Sequence, residues 1–275
     1  MSKINHITNS TNYKLINLLI KRGNHRPYLG MSSLGDPCWR KLYYRFHFAS
    51  KPRPISGRNK RIFDMGHLAE ELVVKHLNKI GISCYADQEE VEGCFKHAMG
   101  HIDGRAIGFP EYPDEELLLE IKSAKDKKFK MFYRFGVKKQ NIIYYSQMQR
   151  YMGKLKLKLT AFVMINKDDS SMYIEFVPFD ENVYNDLLRK EKEIIFAESP
   201  PPRQWPKGYL DCDYCDEMDI CRNGMKAEKN CRTCDNCSIE IDGAWTCSRK
   251  IEKEKFLTLE QQLKGCEKWR YGWGL

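Results

Sequence analysis

Residues 117–124 read LLLEIKSA, an apolar run interrupted by one glutamate and one lysine two positions apart. Bounded as it is, the run is predicted to be a strand. The period of two in a strand sends Glu120 and Lys122 to one face and Ile121 to the other. The chain must therefore build a sheet from whose apolar surface a carboxylate and an ammonium emerge side by side. Upstream, residues 100–104 read GHIDG, and Asp103 adds a second carboxylate from the neighbouring predicted strand. Asp103 and Glu120 are hard oxygen donors of the kind Mg2+ or Mn2+ takes, leaving Lys122 to orient or activate a water. That is equipment for phosphodiester hydrolysis. The plain alternative is a solvated Glu120–Lys122 strand pair, with Asp103 opening a turn before Gly104. An ExK triplet alone is common. Here it follows an aspartate in a strand-turn context and is flanked by GHLAE before it and QMQRY after it.

The surrounding pattern predicts a mixed α/β core. Residues 11–21 place Leu15, Ile16, Leu18 and Leu19 at helical spacing. Cys38 opens a basic and aromatic stretch, CWRKLYYRF, and KPRPISGRN breaks regular structure after it. Over residues 60–79, Ile62, Phe63, Leu68, Leu72, Val73, Leu77 and Ile80 predict a helix with a buried apolar face, ended by Gly81. Strands are expected at 83–85, 98–107, 117–123, 160–165 and 172–177, and helices at 142–152 and 181–196. Helix, strands, helix, strands, helix is the order of an α/β layer architecture. Prolines 200–202 form a stiff connector. The expected division is a core over residues 1–200, a cysteine segment over 201–229 and a second cysteine module over 230–275.

A chain of 275 residues has room for one sizeable core and a smaller appendage. Its 42% hydrophobic and 30% charged residues suit a folded, soluble protein rather than a disordered or membrane-embedded one. No apolar run is long enough for a bilayer span, and MSKINHITNS lacks the apolar stretch of a secretory signal, so the cytoplasm, or a host's cytoplasm, is the expected location. The net charge of +9 favours a polyanionic partner, although solubility alone also accounts for it. Eight of the eleven cysteines fall between Cys212 and Cys266. In a reducing compartment such crowding more often binds metal than forms disulfides.

Together GHLAE, GHIDG, LLLEIKSA and QMQRY resemble the motif order of the PD-(D/E)xK nucleases, including the lambda-type and RecB-like exonucleases and the CRISPR-associated adaptation nuclease. The resemblance spans roughly residues 35–225. It implies a restriction-endonuclease-like fold, a mixed central sheet flanked by helices, followed by a small cysteine-rich metal module. It assigns the helix carboxylate to Glu70, with Glu71 as the nearby alternative. The family's aspartate falls on Asp103, its acid and base on Glu120 and Lys122, and its metal-binding carbonyl on Ile121. Gln147 and Tyr151, one helical turn apart, are implied to contact DNA or Lys122. His67 and His101 each neighbour a better candidate and stay outside the set. The implied activity is Mg2+- or Mn2+-dependent hydrolysis of DNA by an exonuclease of recombination, repair or processing, suited to a phage or mobile element. DNA is the implied partner, with a recombination or replication protein as a further one. Polarity, exonuclease against endonuclease action, strand preference and oligomeric state stay open.

The cysteines make a second pattern. Cys212-x2-Cys215-x5-Cys221 leaves three thiolates wanting a fourth ligand. In the iron-sulfur members of this nuclease family one cysteine ahead of the core completes such a set, and Cys38 is similar in its setting. The resemblance therefore implies a [4Fe-4S] cluster on Cys38, Cys212, Cys215 and Cys221, while thiolate chemistry leaves Zn2+ as a competitor. Farther on, Cys231 and Cys234 have the spacing of a zinc knuckle. By similarity to small four-cysteine zinc modules, Cys231, Cys234, Cys247 and Cys266 are the expected Zn2+ ligands, with Cys237 as a substitute. Cys84 and Cys94 read as packing residues.

Basic and aromatic residues interleave in WRKLYYR, in KDKKFKMFYRFGVKK and in KWRYGW, as a nucleic-acid surface requires. The second of these is expected to form a charged loop beside the ExK strand. Two rival readings belong to other classes: a catalytically silent DNA-binding recombination accessory, and a redox-sensing, partner-binding protein whose working part is the cysteine tail.

Overall fold

The computed structural model describes residues 11, 13, 14 and 23–275, apart from 94, 207, 252 and 253. Most of the helix expected over residues 11–21, and Cys94, lie outside the described residues. The elements in chain order are strand β1 (Leu29–Gly30), helix α1 (Trp39–Phe46), helix α2 (Gly57–Lys79), and strands β2 (Ser83–Tyr85), β3 (Glu90–Glu92), β4 (Ala98–His101), β5 (Gly104–Ile107) and β6 (Leu117–Ala124). Helices α3 (Asp126–Gln140) and α4 (Ile142–Leu155), strands β7 (Leu159–Asn166) and β8 (Met172–Pro178), and helix α5 (Glu181–Ile195) follow. The cysteine-rich end carries helices α6 (Leu210–Asp213) and α7 (Met218–Arg222), strands β9 (Cys237–Ile239) and β10 (Trp245–Cys247), and helix α8 (Leu259–Lys264).

The architecture is mixed α/β. Five strands in the order β2-β5-β6-β7-β8 form the central sheet, with β6 and β7 parallel and the other neighbours antiparallel. A parallel neighbour demands a crossover, and α3 with α4 supplies it. The strand period then sorts β6 between two cores. Leu117, Leu119 and Ile121 join Val73 and Leu77 of α2 on one face, whereas Leu118 and Ala124 join Phe132, Met148 and Phe162 on the other. Glu120 and Lys122 share the second face, under α4.

Three expectations change. The strand expected over 98–107 is two strands in two sheets: β4 pairs with β1 and β3, while β5 pairs with β2 and β6. Ile102 and Asp103 lie at the switch. Residues 125–139 are not a loop but α3, kinked at Gly136, whose φ of 73° a side chain resists. The helix expected over 60–79 is present, capped by the Ser56 hydroxyl, which accepts from the Asn59 amide at 3.1 Å. Its apolar stripe, however, is not buried. Ile62, Phe63, Leu68, Leu72 and Ile80 are exposed, and only Gly57, Val73 and Leu77 are covered. A helix of this length spans about 35 Å, and only its last turns pack on β6.

The cysteine-rich end packs into the same core. The connector's carbonyls at Pro200 and Pro201 accept from Arg40 of α1 at 3.2 and 2.8 Å. Arg232 is fully buried and donates to the carbonyls of Phe46 at 2.9 Å and Pro27 at 2.6 Å and to Gln262 Oε1 at 2.8 Å. The rings of Phe48, Trp245 and Phe46 surround its guanidinium at 4.0, 4.5 and 5.4 Å. Among the described residues no helix is long and apolar enough to cross a membrane.

Candidate functional site

The site begins where a backbone ladder stops. Strands β5 and β6 pair from Gly104 opposite Leu119. One residue earlier, the Asp103 carboxylate takes over, accepting the Ile121 amide at 2.7 Å through Oδ2. That bond fixes the aspartate beside the Glu120–Lys122 edge of β6. Lys122 Nζ then lies 2.6 Å from Glu120 Oε1, 2.9 Å from the Ile121 carbonyl oxygen and 3.3 Å from Asp103 Oδ2. Three acceptors match the three protons of an ammonium. From α4, Gln147 Nε2 stands 2.9 Å from each Glu120 oxygen.

Electrostatics follow from burial. The Glu120 side chain is inaccessible to solvent, and burial raises its pKa; Lys122 opposes the rise, while Asp103 and Glu70 add to it. Burial works against the Lys122 ammonium, yet the charges of Glu120 and Asp103 outweigh it and hold its pKa above the ordinary lysine range. Glu70 approaches from α2. Its carboxyl is also raised, first by burial and then by Asp103, and His67 Nδ1 lies 3.3 Å from it. The structure thus brings Glu70, Asp103, Glu120, Lys122 and Gln147 into one electrostatic group.

Tyr151 stands apart from that hydrogen-bonded set. It is fully buried, and burial lifts its phenol far above the ordinary value, with Glu120 and Asp103 adding to the shift. It packs onto Gly100, where a Cβ would come within 2.2 Å of the phenol oxygen. The first glycine of GHIDG therefore makes room for this ring. Gln147, expected to reach DNA or Lys122, bonds both oxygens of Glu120, the neighbour of Lys122 on β6. Two participants were passed over in the sequence: His67 beside Glu70, and Tyr144, whose ring lies 5.6 Å from Lys122 Nζ. Both had a signal in the helical period, since His67 precedes Glu70 by three residues and Tyr144 precedes Gln147 by three.

The thiols fall in two groups. Cys38 caps the start of α1, and its amide donates to Asp36 Oδ1 at 2.9 Å. Burial raises its thiol, the Lys41 amide opposes this, and Asp36 with the thiols of Cys221 and Cys212 adds to it. Burial raises the Cys215 thiol as well, with Glu217 and Cys38 adding smaller contributions. Short turns compact this segment, with the Cys215 amide donating to the Cys212 carbonyl at 3.0 Å and the Cys221 amide to the Glu217 carbonyl at 2.9 Å. Ion pairs from Arg45 to Asp216 at 3.1 Å and to Glu217 at 3.5 Å pin it against α1. The second group, Cys231, Cys234, Cys237, Cys247 and Cys266, lines one cavity of about 340 Å3. Burial pushes the Cys231 thiol up to about 11, with Cys234, Cys266 and Cys247 contributing. Cys237 lies opposite Cys247 across the β9–β10 ladder. Among the described residues, no three His, Cys, Asp or Glu side chains converge closely enough to form a metal cluster by themselves.

No family model matches the sequence, and no curated protein matches it. Solved structures with a similar chain path include a protein designated SSO0001, at 16% identity, 74% of this chain and 90% of that one, and a TM-score of 0.42. They also include an alkaline exonuclease, LHK-Exo, from Laribacter hongkongensis, at 13% identity, 62% and 87% coverage and a TM-score of 0.47. A phage-related exonuclease from Haemophilus somnus 129PT is similar over 46% of this chain and 66% of its own, at 16% identity and a TM-score of 0.34.

Proposed function

We propose that this chain is a divalent-metal-dependent DNA nuclease of the PD-(D/E)xK type, an exonuclease of recombination, repair or processing. The observation that carries the reading is the set of Asp103, Glu120 and the Ile121 carbonyl gathered around one ammonium, that of Lys122, on the middle strand β6 just past the point where its pairing with β5 stops. Two carboxylates and a carbonyl are a hard-oxygen set, so the residues fit Mg2+ or Mn2+. Asp103, Glu120 and Ile121 would hold the ion, which when bound polarises a phosphate and lowers the pKa of its water.

The chain's own groups have distinct tasks in this reading. Gln147 fixes both oxygens of Glu120, so the carboxylate keeps one orientation although it is buried. Lys122 stays charged and supplies the positive field that a pentavalent phosphate transition state needs. Glu70, with its raised carboxyl, is placed to accept or hold a proton beside Asp103. Tyr151 and Gly100 set the spacing between α4 and β4, the strand that leads into Asp103. The basic face of α3, which directly follows β6, is the reading's DNA contact.

The thiol groups belong to the same proposal. Cys38, Cys212, Cys215 and Cys221 are a half-buried thiol quartet drawn from both sides of the core, a donor set suited to a [4Fe-4S] cluster, with Zn2+ as the competing occupant. In the C-terminal cavity Cys231, Cys234, Cys247 and Cys266 are the Zn2+ set, with Cys237 as the substitute.

The test is nucleotide release from end-labelled linear and circular DNA, single- and double-stranded, with Mg2+, Mn2+ or EDTA. Wild type runs beside Lys122→Ala and Asp103→Ala. Metal-dependent cleavage lost in both variants is expected, and sparing of circles marks an exonuclease. Wild type that binds DNA without cutting it returns the protein to the reading as a catalytically silent DNA-binding recombination accessory.

A further inference from the structure

Tyr144 lies in the first turn of α4, where the Asn141 side chain accepts its amide at 3.1 Å and that of Ile143 at 3.0 Å and so fixes the turn. Its half-buried ring is shared by two ammoniums from different elements. Lys122 Nζ of the catalytic group lies 5.6 Å from the ring centre, and Lys128 Nζ of α3 lies 5.2 Å from it. Phe132, one turn beyond Lys128 on α3, offers the same ammonium a second face at 5.7 Å, and its own ring centre is 6.2 Å from that of Tyr144. Lys128 is thereby held against two rings. Its ammonium is no farther from that of Lys122 than the sum of their two distances to the Tyr144 ring.

Other lysines of α3 are placed differently. Lys130 pairs with Asp126 at 2.8 Å and Lys138 with Asp180 at 3.4 Å, so a carboxylate of the protein offsets each charge. Lys128 is exposed and, among the described residues, makes no ion pair. An aromatic face attracts an ammonium without neutralising it. Lys128 therefore keeps its charge for a ligand while its position is set relative to Lys122. A DNA strand carries a phosphate about every 3.4 Å along its axis. With one phosphate at the catalytic group, a neighbouring one comes within reach of Lys128.

We propose that Lys128 and Tyr144 form a phosphate subsite adjoining the catalytic group. Lys128 binds the phosphate next to the scissile one, and Tyr144 is the positioning residue that keeps the two ammoniums in register. The inference rests on the nuclease reading and narrows the DNA contact of α3 from a basic face to one lysine and one ring. A lysine that only grazes a ring would add to DNA binding no more than its share of the net charge. Lys130, on the same helix but paired with Asp126, measures that share.

The experiment uses the full chain and a fluorescein-labelled DNA oligonucleotide, single-stranded and as a duplex. Binding is followed by anisotropy in EDTA across a range of NaCl concentrations, and nucleotide release in Mg2+ gives KM and kcat. One lost phosphate contact lowers the slope of log K against log salt by about 0.7 on a single strand and about 0.9 on a duplex. Lys128→Met should show that loss and bind about five- to eightfold more weakly at about 0.1 M salt, whereas Lys130→Met stays within about twofold of wild type. Its KM should rise by a similar factor with kcat within about twofold of wild type. Tyr144→Leu should reproduce the loss, and Tyr144→Phe, which keeps the ring, should keep the wild-type slope. Adding Lys128→Met to Tyr144→Leu should then cost little more, as coupled neighbours do. If wild type cuts DNA while Lys128→Met keeps its slope and KM, or Lys130→Met loses as much, the subsite is overturned and the nuclease reading stands. Losses of Lys128→Met and Tyr144→Leu that add in full overturn the role of Tyr144. If wild type does not cut DNA, the nuclease reading falls and the subsite with it.

Discussion

Replacing Lys122 with methionine removes the one ammonium that Glu120, Asp103 and the Ile121 carbonyl share. Glu120 has no exposed surface and its Oε1 lies 2.6 Å from the ammonium, so the variant strands a buried carboxylate. Breaking a buried pair from one side costs about 3–5 kcal/mol. The charge part of that cost has a ceiling, because Glu120 can take up a proton instead. Starting from an ordinary value of 4.5, protonation at pH 7 costs about 3.4 kcal/mol, at about 1.36 kcal/mol per pH unit. At pH 5.5 it costs about 1.4 kcal/mol. In the variant the folded pKa of Glu120 lies above its unfolded value. Its stability is therefore fully present below pH 4.5 and is lost as pH rises toward the folded pKa. Wild-type Glu120 is itself raised to about 7, so up to that pH wild type sheds nearly the same stability, and the extra loss of Lys122→Met relative to wild type should grow between pH 7 and pH 8.5, by about 1–2 kcal/mol. Urea unfolding in EDTA at the two pH values measures this. Adding Glu120→Gln should abolish the extra loss, since the amide carries no charge to strand. A penalty for Lys122→Met that does not change with pH, or a double variant no more stable than the single one at pH 7, would refute the electrostatic account of the site.

Other outcomes follow from the same packing. Gly100→Ala pushes a methyl against the fully buried Tyr151, whose phenol oxygen would lie 2.2 Å away; it should cost about 1–3 kcal/mol in thermal unfolding while circular dichroism keeps the wild-type fold. His47 is fully buried between Tyr43 and the C-terminal tryptophans Trp245 and Trp273, and burial pushes its pKa down to about 3. Because that value lies below the unfolded 6.5, its stabilising effect is complete above pH 6.5 and is lost as pH falls toward 3. Between pH 6.5 and 4.5, wild type should lose about 2–3 kcal/mol more than His47→Phe, read from tryptophan fluorescence in urea. Glu191→Gln opens the fully buried pair with Arg150, whose Nη2 lies 2.8 Å from Oε2, and should cost about 3–5 kcal/mol by calorimetry. The double change Arg150→Met with Glu191→Leu should recover most of it.

Much of the core was legible because side-chain direction in regular structure is a local property. The period of two placed Glu120 and Lys122 on one face of β6 and Ile121 on the other. Helical spacing placed Gln147 and Tyr151 together on α4, and Gly81 marked the end of α2. Those readings need no knowledge of what lies across the gap. What lies across it depends on contacts between residues far apart in the chain, which no local pattern encodes. Hence residues 98–107 read as one strand, although their two halves pair with different partners and leave Asp103 at the switch. Hence also the apolar stripe of α2 read as buried, when the sheet beneath it covers only Val73 and Leu77. The sequence by itself determined which residue types could form the candidate site and which faces they occupy. Only the tertiary structure decided that Gln147 holds Glu120 and that Gly100 yields its space to Tyr151, because each is a packing outcome between elements that meet only in the folded chain.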